Sequence, residues 1–222
     1  MSAAPSDDAT SELRQSHDVL AEVYAELLVG HLEGMPVERA VLGLFAELVH
    51  DHGTGTSVGD VGCGTGRLAP YLAGLGLTPH GVDLSPEMVR VARRDQPGFA
   101  FEVADLRALP FADAALDGVV CWYSLMYLSP DDRPVAFGEL ARVVKPGGLL
   151  ATAYKIGDDS LRRGGQTLDL GIGFDIWWRS PAGLQRDLGA AGFDVVLAAE
   201  RPAEPGGPGE LQPQGYLVLR RR

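Results

Sequence analysis

The spacing of apolar residues changes near residue 54. Before that point apolar residues recur every three or four positions, which predicts one or two helices over 11–33 and a further helix over 36–53. Pro36 suits the first turn of that further helix, and Gly53 suits its end. After residue 54, short apolar runs alternate with helical stretches: strands at 56–61, 78–83, 99–103, 116–122 and 148–154, and helices at 66–75, 85–95 and 131–144.

This alternation of strands and helices predicts the fold class. Helices that join successive strands act as right-handed crossovers, so we expect an α/β fold, a parallel sheet covered by helices on both faces. The stretch 155–180 is irregular, with one possible short strand at 169–178. The remaining predicted elements are a helix at 181–191, a strand at 193–199, a Pro/Gly-rich loop at 200–214 and a strand at 215–221. Because no helix joins the last two strands, the final strand should run antiparallel to its neighbours.

The length and composition are those of one globular unit. The chain has 222 residues, of which 45% are hydrophobic, and this is enough to bury one core. We therefore expect a single domain over 1–222. Its predicted parts are N-terminal helices at 1–53, a ligand-binding core at 54–154 and a substrate-side and C-terminal part at 155–222.

Charge and hydropathy exclude several classes of partner. No apolar run approaches the roughly 18 residues of a membrane span, and the N-terminus is acidic and polar, unlike a signal peptide. We therefore expect a cytoplasmic protein that does not bind membranes. The formal net charge of -11 argues against a nucleic-acid partner, because phosphate backbones are bound by clustered Lys and Arg. Cys63 and Cys121 lack the spacing of metal ligands and are expected to be reduced thiols, and the oligomeric state is left open.

The sequence GDVGCGTGRL, at 59–68, places four glycines between the first core strand and the next helix. In a doubly wound sheet this turn contacts the ligand, and glycines allow unusual dihedral angles and close approach of the backbone. The N–H groups of the loop and of the following helix are candidates to bind an anion. A dinucleotide loop would look similar, but Arg67 stands where its third glycine would be.

Acidic residues after three strands indicate a nucleoside joined to an amino acid. Asp60 precedes the loop and is a candidate to pair with the cation of a ligand that also carries a carboxylate, such as an amino acid. Asp83 ends the second strand, where a carboxylate accepts hydrogen bonds from ribose hydroxyls, although an aspartate there can also be a helix cap. Asp105, after the third strand, suits the exocyclic amino group of adenine.

Three neighbouring residues complete this hypothetical base site. The Leu106 N–H is a candidate donor to the adenine ring. Leu84 and Met88 would lie on the two sides of the base, although Met88 at helical spacing is more often a core residue. An amino acid joined to adenosine describes S-adenosylmethionine.

The motifs VGDVGCGTG, GVDLSPEM, ADLRALPF and LARVVKPGGLL resemble, in this order, those of class I S-adenosylmethionine-dependent methyltransferases, particularly the small-molecule group. The resemblance covers roughly 19–157. It implies a Rossmann-like doubly wound sheet of seven strands in the order 3-2-1-4-5-7-6, with the last strand reversed and an N-terminal helical cap. It also implies an N-terminal tyrosine that closes over the cofactor; Tyr24 matches it, or is a core aromatic. The candidate cofactor-binding residues are Tyr24, Asp60, Gly62, Gly64, Thr65, Gly66, Asp83, Leu84, Met88, Asp105, Leu106 and Cys121.

Methyl transfer from a sulfonium is an in-line displacement, so the protein needs to align the acceptor and needs no nucleophile of its own. A general base helps only where the acceptor must lose a proton. We expect the acceptor beyond strands four and five, beneath the N-terminal helices, in an aromatic pocket that suits a small molecule with an apolar or aromatic body. The candidate substrate-binding residues are Tyr123, Tyr127, Tyr154 and Trp178, and the candidate catalytic residues are His17, His31, Tyr123 and Tyr154.

The absence of certain motifs reduces the number of methylation reactions that fit the sequence. The segment after strand four, CWYSLMYL, lacks the Asn/Asp-Pro-Pro-aromatic motif, which argues against methylation of DNA, RNA or glutamine. No acidic set typical of magnesium-dependent catechol enzymes is present, and His50 and His52 suit a solvated turn, so no metal is predicted. The leading hypothesis is methyl transfer to O, N, S or C of a small molecule, for example in secondary metabolism. The alternatives are a cyclase or isomerase that binds the cofactor without transfer, a regulatory cofactor binder, and, disfavoured by Arg67, a nicotinamide dehydrogenase.

Overall fold

The computed structural model describes residues 7–28, 30–165, 170–203 and 212–222. The helices are α1 Asp7–Leu27, α2 Pro36–His52, α3 Ala69–Gly74, α4 Pro86–Asp95, α5 Arg133–Val143 and α6 Pro181–Ala190, with short 3-10 helices at His31–Gly34 and Leu125–Tyr127. The strands are β1 Ser57–Val61, β2 Thr78–Asp83, β3 Ala100–Val103, β4 Leu116–Trp122, β5 Val144–Lys155, β6 Leu161–Gly164, β7 Phe174–Trp177, β8 Phe193–Arg201 and β9 Gln214–Arg221.

Seven of these strands form one sheet in the order β3-β2-β1-β4-β5-β9-β8. The first five strands of this order are parallel, and β9 runs antiparallel to both of its neighbours, β5 and β8. Because β8 and β9 are the sixth and seventh of the strands predicted from the sequence, both the predicted order and the reversed last strand are confirmed.

The sheet is covered on both faces. On one face, Phe137 of α5 and Leu184 of α6 pack in a cluster with β4 and β5. On the other face, Leu42 and Phe45 of α2 pack against the same two strands. All seven residues of β4 are therefore buried, which explains why its sequence is continuously apolar except for Asp117.

A separate two-stranded hairpin, β6 with β7, lies in the stretch that the sequence indicated as irregular. The strand predicted at 169–178 includes β7, but β6 was missed because Leu161–Gly164 contains two arginines and a glycine and has no apolar alternation. Part of that predicted strand and most of the loop predicted at 200–214 lie outside the described residues. Within the described ranges, no helix has the length and apolar character needed to cross a membrane.

Helix α3 starts three residues later than predicted. The backbone φ angles of Gly62, Gly64 and Gly66 are 77°, 54° and 75°, which is the left-handed region, so this segment is a loop and cannot begin a right-handed helix. The helix begins at Ala69, and Pro70 therefore lies in its first turn, where the missing N–H costs no hydrogen bond.

Replacing Gly66 by alanine tests how this loop packs. A Cβ atom at Gly66 would lie 2.6 Å from the ring of Phe101, in a backbone conformation that L-residues avoid. We expect Gly66→Ala to lower the free energy of unfolding, measured in urea, by about 2–3 kcal/mol. The control Gly138→Ala, on the exposed side of α5 where nothing lies within 4 Å of the added Cβ, should raise it by up to about 1 kcal/mol. Equal stability of the two variants would contradict this account of the loop.

Candidate cofactor and acceptor site

A cavity of about 1130 Å³ lies at the carboxyl ends of the parallel strands. Its wall is formed by α1, the glycine loop, the ends of β2, β3 and β4, Lys155 of β5, the β6–β7 hairpin and the start of β9. Ligand pockets usually measure about 300–1,000 Å³, so this cavity has room for a nucleoside-sized molecule and a second small molecule.

The glycine loop is held to the end of β2 by hydrogen bonds. The Gly62 and Cys63 N–H groups both donate to the carbonyl oxygen of Val82, at 2.8 and 3.0 Å. The Gly64 N–H donates to Oδ2 of Asp83 at 2.8 Å. The loop is therefore fixed by the protein itself, in a shape that exposes its backbone to the cavity.

Gly62 and Gly64 lack side chains for different reasons. A Cβ atom at Gly62 would lie 2.3 Å from Cβ of Ser124, so Gly62 makes room for the segment that follows β4. Near Gly64 the closest such contact is Sδ of Met88 at 4.0 Å, and Gly64 lines the cavity. Gly64 thus leaves space for a ligand, as the sequence predicted for the loop as a whole.

Asp60 is fully buried beside the loop, and neither of its carboxylate oxygens has a hydrogen-bond partner among the residues that the structure describes. Burial raises its pKa to about 7; Arg67 acts in the opposite direction, and the nearby Asp83 adds to the rise. A buried carboxylate without a partner is costly unless a ligand completes it. Because Asp60 lines the cavity, this orphaned carboxylate fits a ligand that carries a positive charge.

Asp83 joins the loop to the next helix. Its Oδ1 accepts from the Ser85 N–H at 2.9 Å, and its Oδ2 accepts from Gly64. Ser85, and not Asp83, is the N-cap of α4, since the Ser85 Oγ accepts from the Met88 N–H at 3.1 Å. Each carboxylate oxygen has a second lone pair, so Asp83 can hold the loop and accept from ligand hydroxyls as well.

Asp105 lies at the edge of the cavity, and its carboxylate is already engaged by Arg107. The Arg107 backbone N–H donates to Asp105 at 2.8 Å, and the Arg107 guanidinium bonds it at 2.6–3.1 Å. Burial acts to raise the pKa of Asp105, but the bonds to Arg107 outweigh it and hold the pKa below its usual value. Arg107 also bonds Asp132 at 2.9 Å, so it orients the carboxylate in the predicted adenine site, a role that sequence reasoning missed.

Aromatic side chains of α1 and of the hairpin form one wall of the cavity. The His17 ring lies 5.0 Å from that of Tyr127, 5.2 Å from Phe174 and 6.4 Å from Tyr24, measured between ring centroids. The Nδ1 of His17 is 2.9 Å from the Leu13 carbonyl oxygen. Because a carbonyl only accepts, Nδ1 carries the proton, and in the neutral ring Nε2 is left with a lone pair.

Helix α1 is fastened over the cavity by polar contacts with α4. Oδ1 of Asp18 accepts from the Ser85 hydroxyl at 2.5 Å. Glu22 bonds Arg90 at 2.6 Å and Arg94 at 2.8 Å. These contacts hold the aromatic wall in place above the end of β2.

A second polar cluster lies on the opposite wall, around Glu38 of α2. Glu38 is only 1% exposed and accepts from the Tyr123 hydroxyl at 2.9 Å and from Nε1 of Trp122 at 3.2 Å. Burial and the Glu38 carboxylate raise the pKa of Tyr123 far above its usual value, so Tyr123 remains a neutral phenol. Sequence reasoning missed Glu38, because an acidic residue in the first turn of a helix is common as a complement to the helix dipole.

Two predicted site residues, Tyr154 and Cys121, point to the face of the sheet that is covered by α5 and α6. Both are buried in the core that packs against α5 and α6, and neither lines the cavity. Successive side chains of a strand point to opposite faces, so Lys155 and Trp122 reach the cavity instead. Gly66 does not line the cavity either, because its missing side chain accommodates Phe101.

The other predicted residues do come together around the cavity. Trp178 lies in its wall, with the Arg162 guanidinium 4.2 Å from the centre of the Trp178 ring. The predicted residues that line the cavity are His17, Tyr24, His31, Asp60, Gly62, Gly64, Thr65, Asp83, Leu84, Met88, Asp105, Leu106, Tyr123, Tyr127 and Trp178.

The histidines near the end of α2 and the two cysteines are not grouped with other possible metal ligands in the described part of the chain. Nε2 of His50 lies 3.0 Å from the Leu75 carbonyl oxygen, and Cys63 and Cys121 are free thiols. Among the residues that the structure describes, no three His, Cys, Asp or Glu side chains are grouped to hold a metal ion.

Comparisons with known proteins agree with this architecture. Residues 58–148 match the family described as "Methyltransferase domain". The chain is 33% identical over 149 residues to a malonyl-[acyl-carrier protein] O-methyltransferase of Pectobacterium atrosepticum, covering 67% of this chain and 54% of the relative. It is 30% identical over 172 residues to the O-methyltransferase cnsE of Penicillium expansum, covering 69% and 62%. The chain thus spans less than two thirds of the length of these relatives.

Two solved structures share the fold over nearly the whole chain. The DhpI-SAH complex has a TM-score of 0.73 at 22% identity and covers 98% of both chains. The [4+2]-cyclase SpnF has a TM-score of 0.68 at 20% identity and covers 100% of this chain and 99% of its own. The family match agrees with the sequence motifs and with the strand order, in which one strand is reversed. Residues 58–148 therefore belong to the methyltransferase domain family, in the class I fold group.

Proposed function

We propose that the protein binds S-adenosylmethionine in the part of the cavity next to β1, β2 and β3, and transfers its methyl group to a small molecule bound next to α2 and β4. The observation that carries this proposal is Asp60, a fully buried carboxylate in the wall of a cavity of ligand size, with no hydrogen-bond partner in the described part of the chain. The ammonium group of the cofactor would pair with it, directly or through water.

The remaining cofactor contacts follow from groups that line the same region. Asp83 would accept from the ribose hydroxyls with its free lone pairs, and Gly64 leaves room for the ligand to approach the backbone. Leu84 and Met88 would flank the base. An adenine amino group would share the Asp105 carboxylate with Arg107.

S-adenosylmethionine supplies a methyl group that is already activated for in-line displacement. The protein contributes alignment of the acceptor and exclusion of water, for which the enclosing helix α1 and the aromatic wall are suited. Where the acceptor must lose a proton, Nε2 of His17 is the candidate base, since the bond from Nδ1 to Leu13 leaves that nitrogen unprotonated in the neutral ring.

The acceptor side combines aromatic rings with the Glu38 cluster. Tyr123, Tyr127 and Trp178 offer apolar surface, and Glu38 holds the Tyr123 hydroxyl in a fixed orientation. A small molecule with an aromatic or apolar body and a hydroxyl or carboxyl group fits this wall. Oxygen is the favoured accepting atom, because both relatives described above are O-methyltransferases.

A second candidate is an enzyme that binds the cofactor without transferring its methyl group. It is favoured by the likeness to the [4+2]-cyclase SpnF, which extends over the whole chain. The two candidates share the cofactor site and differ in what happens in the acceptor part of the cavity.

Methyl-labelled S-adenosylmethionine distinguishes the two candidates. Incubated with the protein and a small-molecule extract, it should give label in a low-mass product, and Asp60→Ala should abolish that label by removing the carboxylate that pairs with the cofactor. The measurement is scintillation and mass spectrometry of the extract. Binding of S-adenosylhomocysteine by calorimetry without any labelled product would favour the second candidate, and no binding at all would overturn both.

Cofactor affinity should also depend on pH through Asp60. The pKa of Asp60 in the free protein is about 7, and an ammonium bound beside it must lower that pKa. Binding therefore releases a proton below pH 7, and the affinity for S-adenosylhomocysteine should fall as the pH is lowered from 7 to 5, by up to about tenfold per pH unit. Calorimetry on Asp60→Asn should give a weaker affinity without this dependence; an unchanged pH profile in the variant would assign the titration to another group.

A further inference from the structure

Gln212, which lies just before β9 in the wall of the cavity, has a side-chain amide with no hydrogen-bond partner among the described residues. The residue is only 4% exposed, and both amide atoms, Oε1 and Nε2, are buried. Oε1 can accept a hydrogen bond and Nε2 can donate two. Because both atoms lack a partner in this part of the chain, exchanging the oxygen and the nitrogen of the amide would change nothing. The described residues thus leave one donor and one acceptor, side by side, for a ligand to bond.

Gln212 lies on the proposed acceptor side of the cavity. In the sheet, β9 comes after β1, β4 and β5, so it is three strands away from Asp60 on β1, a distance of about 14 Å. The Tyr216 hydroxyl of β9 donates to Glu38 at 3.4 Å, which places this end of β9 beside the Glu38 cluster. A group that is bonded by Gln212 would therefore belong to the acceptor and not to the amino-acid end of the cofactor.

The backbone around Gln212 is held in place by hydrogen bonds. Nε2 of Gln214 donates to the Gln212 carbonyl oxygen at 2.9 Å. The Ile156 N–H donates to the Pro213 carbonyl oxygen at 2.9 Å, and Gln214 is paired with Lys155 in the sheet. A side chain on a fixed and buried backbone loses little freedom when it bonds a ligand, so Gln212 is well placed to discriminate between acceptors.

We propose that Gln212 binds an amide group of the acceptor, in the form of a primary carboxamide, a lactam or an imide. Such a group has an N–H donor and a carbonyl oxygen side by side, so it bonds Oε1 and Nε2 of Gln212 at the same time. A carboxylate or an ester has acceptor atoms alone and would leave Oε1 without a donor. The proposal rests on the proposed function and adds to it the substrate class and a residue that determines specificity.

Two cationic side chains of the same wall, Lys155 and Arg162, could instead favour a carboxylate. The Arg162 guanidinium lies 3.1 Å from a carboxylate oxygen of Asp158, which balances its charge, and 4.2 Å from the centre of the Trp178 ring. Nε of Arg162 is a further buried donor without a partner in the described ranges, and it suits the carbonyl oxygen of an amide as well as a carboxylate. Gln212 separates the two groups, because its Oε1 needs a donor that a carboxylate lacks.

The test uses three probes that share a phenyl ring: benzamide, benzoate and methyl benzoate. Their dissociation constants are measured by ligand-observed NMR on the protein saturated with S-adenosylhomocysteine. Benzamide should bind about tenfold more tightly than either of the others, because it alone brings a donor to the buried Oε1 of Gln212. Gln212→Met keeps the length of the side chain and removes its amide, so it should bring benzamide and methyl benzoate to within about twofold of each other.

Gln15→Met is the matched control, because Gln15 is exposed on α1 and lies outside the cavity wall. This variant should keep the preference of the unmodified protein for benzamide. The ligand-free Gln212→Met protein should unfold at the same urea concentration as the unmodified protein or at a higher one, since a buried amide without a partner adds nothing to the stability of the folded state. Its affinity for S-adenosylhomocysteine should be unchanged, because Gln212 lies on the acceptor side.

Four results would overturn the role of Gln212 and leave the proposed function standing. They are no binding of benzamide, an equal or tighter binding of benzoate or methyl benzoate, a preference for benzamide that survives in Gln212→Met, and a lower stability of that variant. Failure of the unmodified protein to bind S-adenosylhomocysteine would instead overturn the proposed function. A preference for benzamide that is lost in Gln212→Met and kept in Gln15→Met would establish the assignment.

Discussion

The carboxylate of Asp83 joins the segments that make up the cofactor end of the cavity. Its two oxygens accept from Gly64 in the loop after β1 and from Ser85 at the start of α4. Ser85 in turn donates to Asp18, so α1 is attached to the same point. One buried side chain at the end of a strand thus sets the positions of a loop, a helix and the helix that covers the cavity.

The polar groups around the cavity fall into two sets. The first set is used within the protein: Asp83 holds the loop, and Arg107 holds Asp105. The second set consists of buried side-chain atoms of cavity residues that have no partner among the described residues: both carboxylate oxygens of Asp60, Nη1 of Arg67, Nε of Arg162 and the side-chain amide of Gln212. Buried polar groups are normally bonded, so a ligand that bonds these atoms would satisfy groups that the described residues leave without a partner.

The proposed acceptor side follows a different principle. There the buried carboxylate of Glu38 accepts hydrogen bonds from Tyr123 and Trp122. It therefore orients these aromatic side chains and needs no ligand cation as a partner. A cavity wall made of oriented aromatic rings selects its ligand by shape and by a few hydrogen bonds. This contrast explains why the sequence points more clearly to the cofactor than to the acceptor.

The sequence by itself determined the strands of the main sheet, their order and the cofactor motifs, because hydrophobic periodicity and glycine act over a few neighbouring positions, but it did not indicate β6. Asp60, Gly64 and Asp83, which the sequence predicted as cofactor-binding residues, line the cavity. Only the tertiary structure decided that Tyr154 and Cys121 face the core, that Glu38 meets Tyr123 from 85 positions away, and that the N–H groups of Gly62, Cys63, Gly64 and Gly66 bond within the protein. These outcomes depend on the face of the sheet to which each side chain points and on contacts between distant segments. Both exist only after the sheet and the covering helices have assembled.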